Sequence, residues 1–382
     1  MTTATIRSLA RPAACALRVA CALRAACGML VACSMLTLAG CGEKSPSTDA
    51  SGSAPAPAKE LNVYMWSEYI DPAIVADFEK STGMKVRIDV YEDTESMLAK
   101  MQLQEGDRLY DVVIASDHAV PVLSSLGLVR PLDRSLIPNA ANVDPRFASP
   151  SYDPGSECSL PYQWGTLGII YSKEKLNGRP LSWDLVLGPD PAPTFVLIDS
   201  MRDMMGAALK RLGRSVNDTE QTRLDEAGAL IAAAKSRSQC VGFEGGVGGK
   251  SKVAAGLASC AMVYSGDALK AVAENPSLAY GVPTEGSVIW VDAMTVTKRA
   301  RNPEGAHAFI NAILDPTTGA KLSAFTLYAT PNVKAKALLP EATTSNRAIY
   351  PDEATMSRLE YTADVGAATS RYDATWTSVK AK

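Results

Sequence analysis

Histidine is almost missing from this chain of 382 residues, with only His118 and His307 present. There is no His-x-x-x-His pair, no Gly-x-Ser-x-Gly and no cysteine cluster, so zinc sites and Ser-His-Asp triads lack their raw material. Neither a metal, a cofactor nor an enzymatic reaction is therefore expected. No stretch beyond residue 41 stays apolar for the roughly 20 residues that a membrane-spanning helix needs. Positive charge is in short supply as well. The net charge is −3, and taking away the four arginines at the start (Arg7, Arg11, Arg18 and Arg24) leaves −7. Such a balance disfavours nucleic acid and mildly favours cationic partners, although net charge alone argues solubility rather than function.

Those arginines head a segment without an acidic residue, followed by an apolar run from Met29 to Leu38 and then Leu38-Ala39-Gly40-Cys41. A basic start, an apolar middle and small residues before a cleavage point read as a secretory signal over residues 1–40. The last four residues resemble a bacterial lipobox, which would make Cys41 the lipidated first residue of the mature chain and hold the protein at a membrane in the periplasm. Residues 41–59, rich in Ser, Pro, Ala and Lys, bury too little to offset their ordering entropy and read as a flexible tether. About 320 residues remain, enough for two lobes with their own cores. Of the cysteines, Cys158, Cys240 and Cys260 stay with the folded part. In an oxidising compartment one disulfide and one spare thiol is the simple expectation. Cys240–Cys260 is the expected pair, because by pattern both residues begin strands.

The rest of the chain alternates between two periods. Glu60–Met65, Lys85–Tyr91, 110–116 (YDVVIAS), Thr194–Ile198 and Cys260–Ser265 read as strands. Pro72–Thr82, Thr94–Gln104, Pro121–Leu126, Asp203–Leu212 and Glu220–Ser236 have helical spacing. Alternation of this kind predicts an α/β architecture with central sheets flanked by helices. Ligands in such sheets collect beyond the carboxyl ends of strands, where Trp66, Ser116, Asp199 and Asp267 fall.

One motif misleads. EGGVGGKS, residues 244–251, ends in Gly-Lys-Ser, but Glu244 stands where a phosphate-binding loop needs its first glycine, and a carboxylate there repels phosphate. The segment is read as a mobile glycine loop. The informative pattern is a set of acids beside aromatics at strand ends. Trp66, Glu68 and Tyr69 form one group, and Asp203 lies beyond Asp199. Tyr264 with Asp267, Trp290 with Asp292, and Tyr328 complete it. Any one of these is commonplace. Together they describe a slot walled by rings and tipped with carboxylates, which matches a linear diamine. Its methylenes would lie between rings, and its ammonium groups would meet acids, with a cation over a ring face gaining roughly 0.5–2 kcal/mol.

From about Leu61 to the C-terminus the chain resembles the bacterial periplasmic spermidine/putrescine-binding proteins, substrate receptors of ABC importers. WSEYIDP, FEKSTGMKV, YEDTESMLAK, YDVVIAS, LPYQWGTLGIIYS, VIWVDAM, YATPN and DVGAATSRYDATWTSVK carry the likeness in order. The resemblance implies a two-lobed periplasmic binding protein fold of type II character, with a ligand cleft at the hinge. Lobe one would comprise 60–165 plus 291–336, and lobe two 166–290 plus 337–382. It implies a monomer that delivers a polyamine to permease subunits. Trp66, Tyr69, Trp290 and Tyr328 would be walls, Ser116 an amine partner, and Asp203, Asp267 and Asp292 ammonium clamps. His118 stands where the family usually has Tyr or Phe, Tyr264 where it often has Trp, and Thr362 where spermidine binders carry an amide. Asp267 matches the putrescine-preferring branch, and Ser200 falls where spermidine-preferring members place an additional Asp. Putrescine is therefore expected over spermidine. A receptor for another cationic amine, motivated by His118, and a polyamine sensor reporting to a signalling partner are the alternatives.

Overall fold

The segment from Asp71 to Gly83 shows how local chemistry sets the elements. Asp71 caps the helix Pro72–Thr82 by accepting a hydrogen bond from the Ala73 amide at 2.8 Å, and Pro72 occupies the first turn, where its missing N–H costs nothing. Gly83, at φ 71°, ends the helix in the left-handed conformation that glycine adopts without strain. The computed structural model describes residues 60–103, 105–245 and 247–381. The expected signal peptide, Cys41 and the tether lie outside the described residues.

The strands are β1 (Glu60–Trp66), β2 (Lys85–Tyr91), β3 (Val112–Ser116), β4 (Val129–Arg130), β5 (Ser159–Ser172), β6 (Phe195–Ile198), β7 (Cys240–Glu244), β8 (Cys260–Tyr264), β9 (Leu278–Gly281), β10 (Ser287–Thr297) and β11 (Leu359–Tyr361). The main path of pairing runs β2-β1-β3-β10-β5-β8-β6-β7. β1 is parallel to β2 and β3, and β6 is parallel to β7 and β8. β3, β6 and β10 are buried along their whole length, which explains why they read as unbroken apolar runs rather than alternating ones.

β5 and β10 tie the halves of this path together. β5 pairs with β10 over Ser159–Thr166, then with β8 and β9 over Leu167–Ser172. β10 pairs with β11 over Ser287–Ile289 and with β3 over Asp292–Val296. The register of β10 against β5 slips between Asp292 and Ala293, leaving Tyr162 as the extra residue between Gln163 and Pro161. Such a bulge re-aims a side chain locally, and here it falls at Asp292. The C-terminal helix Thr369–Ala381 packs on the helices Met201–Arg211 and Gln221–Lys235. No helix among the described residues is long and apolar enough to cross a membrane.

Two expectations change. Cys158, Cys240 and Cys260 are all free thiols, so the Cys240–Cys260 disulfide does not form. Both cysteines do begin strands, but β6 lies between those strands, and Phe195 is the register partner of each. Two strand spacings of about 4.8 Å separate them, well beyond the Cα distance a disulfide spans. Titration without reductant should find three thiols in the described region. Half-buried Cys240 should react in the native state, and Cys158 and Cys260 only after unfolding. A lower total in denaturant would contradict this arrangement. Burial pushes the Cys260 thiol up to about 12.

The glycine segment is the second correction, since Gly248–Ala254 is a helix. Its glycines serve packing. A Cβ on Gly249 would lie 3.1 Å from Val263 and 3.3 Å from Ala261 on β8, so the bare backbone lets the helix seat closely. Glu244, which disqualified the phosphate loop, pairs with Lys252 at 2.6 Å.

Candidate functional site

The carboxyl ends of the parallel strands converge, and the cleft forms there. Trp66, Ser116 and Tyr264 are the last residues of β1, β3 and β8, and Asp199 follows β6 directly. Asp203 and Asp267 sit in the first turns of the helices Met201–Arg211 and Ser265–Glu274, where the helix dipole favours an anion. Trp290 and Asp292 come from the middle of β10. Glu68, at φ 52°, turns the chain between β1 and its helix. These groups border a cleft of about 940 Å³, part of it open to solvent. All eleven residues expected from the sequence line it: Trp66, Glu68, Tyr69, Ser116, His118, Asp203, Tyr264, Asp267, Trp290, Asp292 and Tyr328.

The walls are a connected series of rings. Tyr69 meets Tyr162 edge-on at 5.1 Å and Tyr328 at 5.7 Å. Tyr328 meets Trp290 at 4.9 Å, and Trp290 meets Tyr264 at 5.8 Å. Trp66 stands apart against Tyr91, with ring centroids 4.3 Å apart. Two glycines make room for these rings. A Cβ on Gly165 would fall 2.6 Å from the Trp290 ring, and one on Gly266 would fall 2.6 Å from the Thr326 carbonyl oxygen and 2.7 Å from the Tyr328 ring. Gly266→Ala is expected to cost about 1–3 kcal/mol of stability and to weaken ligand binding through Tyr328. A variant that melts and binds like the wild type would show that the ring is not held this way.

Three carboxylates in the cleft are each held by neutral hydroxyls. Ser116 donates to Asp292 at 2.9 Å. Tyr328 donates to Asp267 at 2.9 Å. Tyr264 and Ser200 donate to the same oxygen of Asp203, at 2.6 and 2.8 Å. Hydroxyls orient a carboxylate without cancelling its charge, so the cleft keeps its appetite for cations. Burial pushes Asp292 up to about 6, only partly offset by the nearby Tyr69 and Ser116 hydroxyls. Asp267 is also raised by burial, against the opposing influence of Lys250 and the Tyr328 hydroxyl. Burial lifts the Tyr69, Tyr264 and Tyr328 phenols well above their ordinary value, so all three stay neutral donors. The Trp66 and Trp290 indole nitrogens find no hydrogen-bond partner among the described residues.

The two histidines part ways. His118 lines the cleft with its Nδ1 at 3.3 Å from Asp117, a buried acid that accepts the His118 and Val291 amides. His307 is packed away, its Nε2 accepting the Asp133 amide at 3.0 Å. Sequence reasoning passed over Glu92, Asp93, Glu95 and Asp117, which also line the cleft. The signal was there, since Glu92, Asp93 and Glu95 follow the end of β2 at Tyr91 and Asp117 follows the end of β3 at Ser116, just as Asp199 follows β6.

Comparisons with known proteins bear on the family and the fold. The profile described as bacterial extracellular solute-binding protein matches residues 73–351. The chain is 30% identical over 322 residues to the spermidine/putrescine-binding periplasmic protein of Escherichia coli, covering 84% of this chain and 91% of that one. It is 33% identical over 346 residues to the putrescine-binding periplasmic protein SpuD of Pseudomonas aeruginosa, covering 84% and 92%. Among solved structures, a putative spermidine/putrescine ABC transporter protein from Listeria monocytogenes superposes with a TM-score of 0.78 at 34% identity, covering 85% of this chain and 99% of that one.

Proposed function

The chain belongs to the spermidine/putrescine-binding periplasmic proteins within the bacterial extracellular solute-binding family, and from that premise we propose that it prefers putrescine over spermidine and passes it to the permease of an ABC importer. Members of this family are transport components and perform no chemistry, so the site's work is capture and release. One observation carries the ligand reading: three carboxylates, Asp203, Asp267 and Asp292, each accept a hydrogen bond from a hydroxyl inside a slot of aromatic rings. A linear diamine satisfies both halves of that description.

We assign the binding roles as follows. Trp66, Tyr69, Trp290 and Tyr328 flank the methylenes, and Asp292 with Ser116 takes one ammonium. Asp203 and Asp267 take the other end. The lobes are assigned as 60–165 plus 291–336 and 166–290 plus 337–382. The change of partners in β5 after Thr166 and in β10 between Ile289 and Asp292 supports these boundaries. Bending of β5 and β10 would close the lobes, and a ligand that touches both lobes favours the closed state by its differential contacts. A lipid on Cys41 is proposed to keep the receptor beside the membrane.

Calorimetric titration of ligand-free protein with putrescine, cadaverine, spermidine and spermine tests the reading. Tight putrescine binding with spermidine weaker is the expected result, and a tighter spermidine constant overturns the preference. His118 favours one other reading, a different cationic amine, because an imidazole is a poorer cation–π surface than a phenol or phenyl ring. Silence with all four polyamines would favour it.

A further inference from the structure

The cleft's acids divide by what balances them. Asp93 and Asp117 accept backbone amides, Asp203, Asp267 and Asp292 accept hydroxyls, and Glu92 and Glu95 are exposed to solvent. Glu68 and Asp199 are different, because each meets an ammonium group belonging to the chain itself. Lys250 Nζ lies 3.6 Å from a Glu68 carboxylate oxygen, and only 15% of its side chain is exposed. Lys270 adds a hydrogen bond to the Glu68 carbonyl at 3.4 Å. Lys380, from the C-terminal helix, contacts both oxygens of Asp199 at 2.7 and 2.9 Å. Its ammonium also stands 4.5 Å from the centre of the Phe243 ring and 5.4 Å from that of Trp376. A carboxylate with rings around a primary ammonium is the same recognition that the cleft offers a polyamine, satisfied here from within.

We propose that Lys250 and Lys380 are specificity-determining residues, tethered ammonium groups that occupy Glu68 and Asp199 and so limit the positive charge the cleft accepts to that of a diamine. Resting on the polyamine reading above, this identifies what excludes the longer, more highly charged members of the class. Lys250 has the larger part. It is the less exposed of the two, and its helix, Gly248–Ala254, packs against the helix that carries Asp267. A third ammonium approaching Asp267 or Glu68 would meet Lys250 as a like charge in a partly desolvated place. Lys380, with 38% of its side chain exposed, acts through a more screened pair. The Gly-Lys-Ser stretch that resembles a phosphate loop thus supplies a cation that works against cations.

The test is titration of wild type, Lys250→Met, Lys380→Met and the charge-retaining Lys250→Arg and Lys380→Arg variants with putrescine, spermidine and spermine. The ratio of putrescine to spermidine dissociation constants is the quantity to read. It should shift toward spermidine by about tenfold or more in Lys250→Met, by a few-fold in Lys380→Met, and by less than about twofold in the arginine variants. Equal weakening of all ligands by the Met variants would mean that the lysines merely hold the fold or latch the cleft, and would overturn the proposal. So would an unchanged ratio. Wild type that prefers spermidine removes the putrescine preference but leaves the ratio shift to decide the lysines' role. Wild type that binds no polyamine overturns both.

Discussion

Asp292→Asn should weaken polyamine binding by about 30- to 1,000-fold while leaving the ligand-free protein at least as stable as before. The loss follows from removing the charge proposed above to meet one ligand ammonium. The unchanged or raised stability follows from the same burial that makes the site work. Asp292 is 5% exposed and held at about 6, above the value near 4 of an aspartate in an unfolded chain. A carboxyl with a raised value in the folded state destabilises that state wherever it is ionised. The penalty is fully present above about pH 6 and gone below about pH 4. Asparagine keeps an oxygen for the Ser116 hydroxyl and carries no buried charge, so its ligand-free form should melt within a degree or a few degrees above wild type. Calorimetric titration and thermal melting on the same samples separate the two effects. Binding lost together with a large fall in melting temperature would mean that Asp292 is a structural residue.

Acidification should weaken binding in the wild type by about tenfold for each pH unit below 6. Ligand amines with values near 10 remain protonated throughout, so the competing proton is one on a buried cleft carboxylate, and Asp292 is the one held at about 6. An ammonium favours the anion and drives the value of Asp292 down on binding. Affinity is therefore flat above pH 6 and falls as the proton must be expelled. Between pH 7.5 and 4.5 the fall is about thirtyfold from this group alone. The Asp292→Asn variant should lose that dependence between pH 7 and 5. A wild-type profile flat down to pH 5 would show that Asp292 does not face an ammonium.

How far the sequence reached can be judged from particular residues. β1, β2 and β3 were legible because their β-branched and apolar runs are local, and the helix Pro72–Thr82 announced itself through its aspartate cap, its proline and its closing glycine. Trp66, Ser116 and Asp199 followed from one rule about strand ends. Asp292 was legible beside Trp290, but its place in the middle of a strand and its aim were not, because the aim depends on a slip of register against β5 that no stretch of β10 encodes alone. The cysteine pair failed for the same reason. Both strands were recognised, but the strand between them is a fact of sheet order, set by contacts distant in sequence. Lys250 was dismissed along with a motif it does not form. Its meeting with Glu68 joins positions far apart along the chain, and the periodicity of either segment is silent about it.

The ring-lined wall has an optical side. Of the chain's five tryptophans, Trp164 and Trp183 are sealed in the core and Trp376 leans on Phe243, while Trp66 and Trp290 line the cleft. A diamine lying along those two indoles would change the field they emit into, and the proposed lobe closure would change their exposure to water. Occupancy should therefore be readable as a change in tryptophan emission, with the sealed Trp164 and Trp183 as an internal reference. Trp290→Phe and Trp66→Phe would apportion the signal between the two sides of the slot.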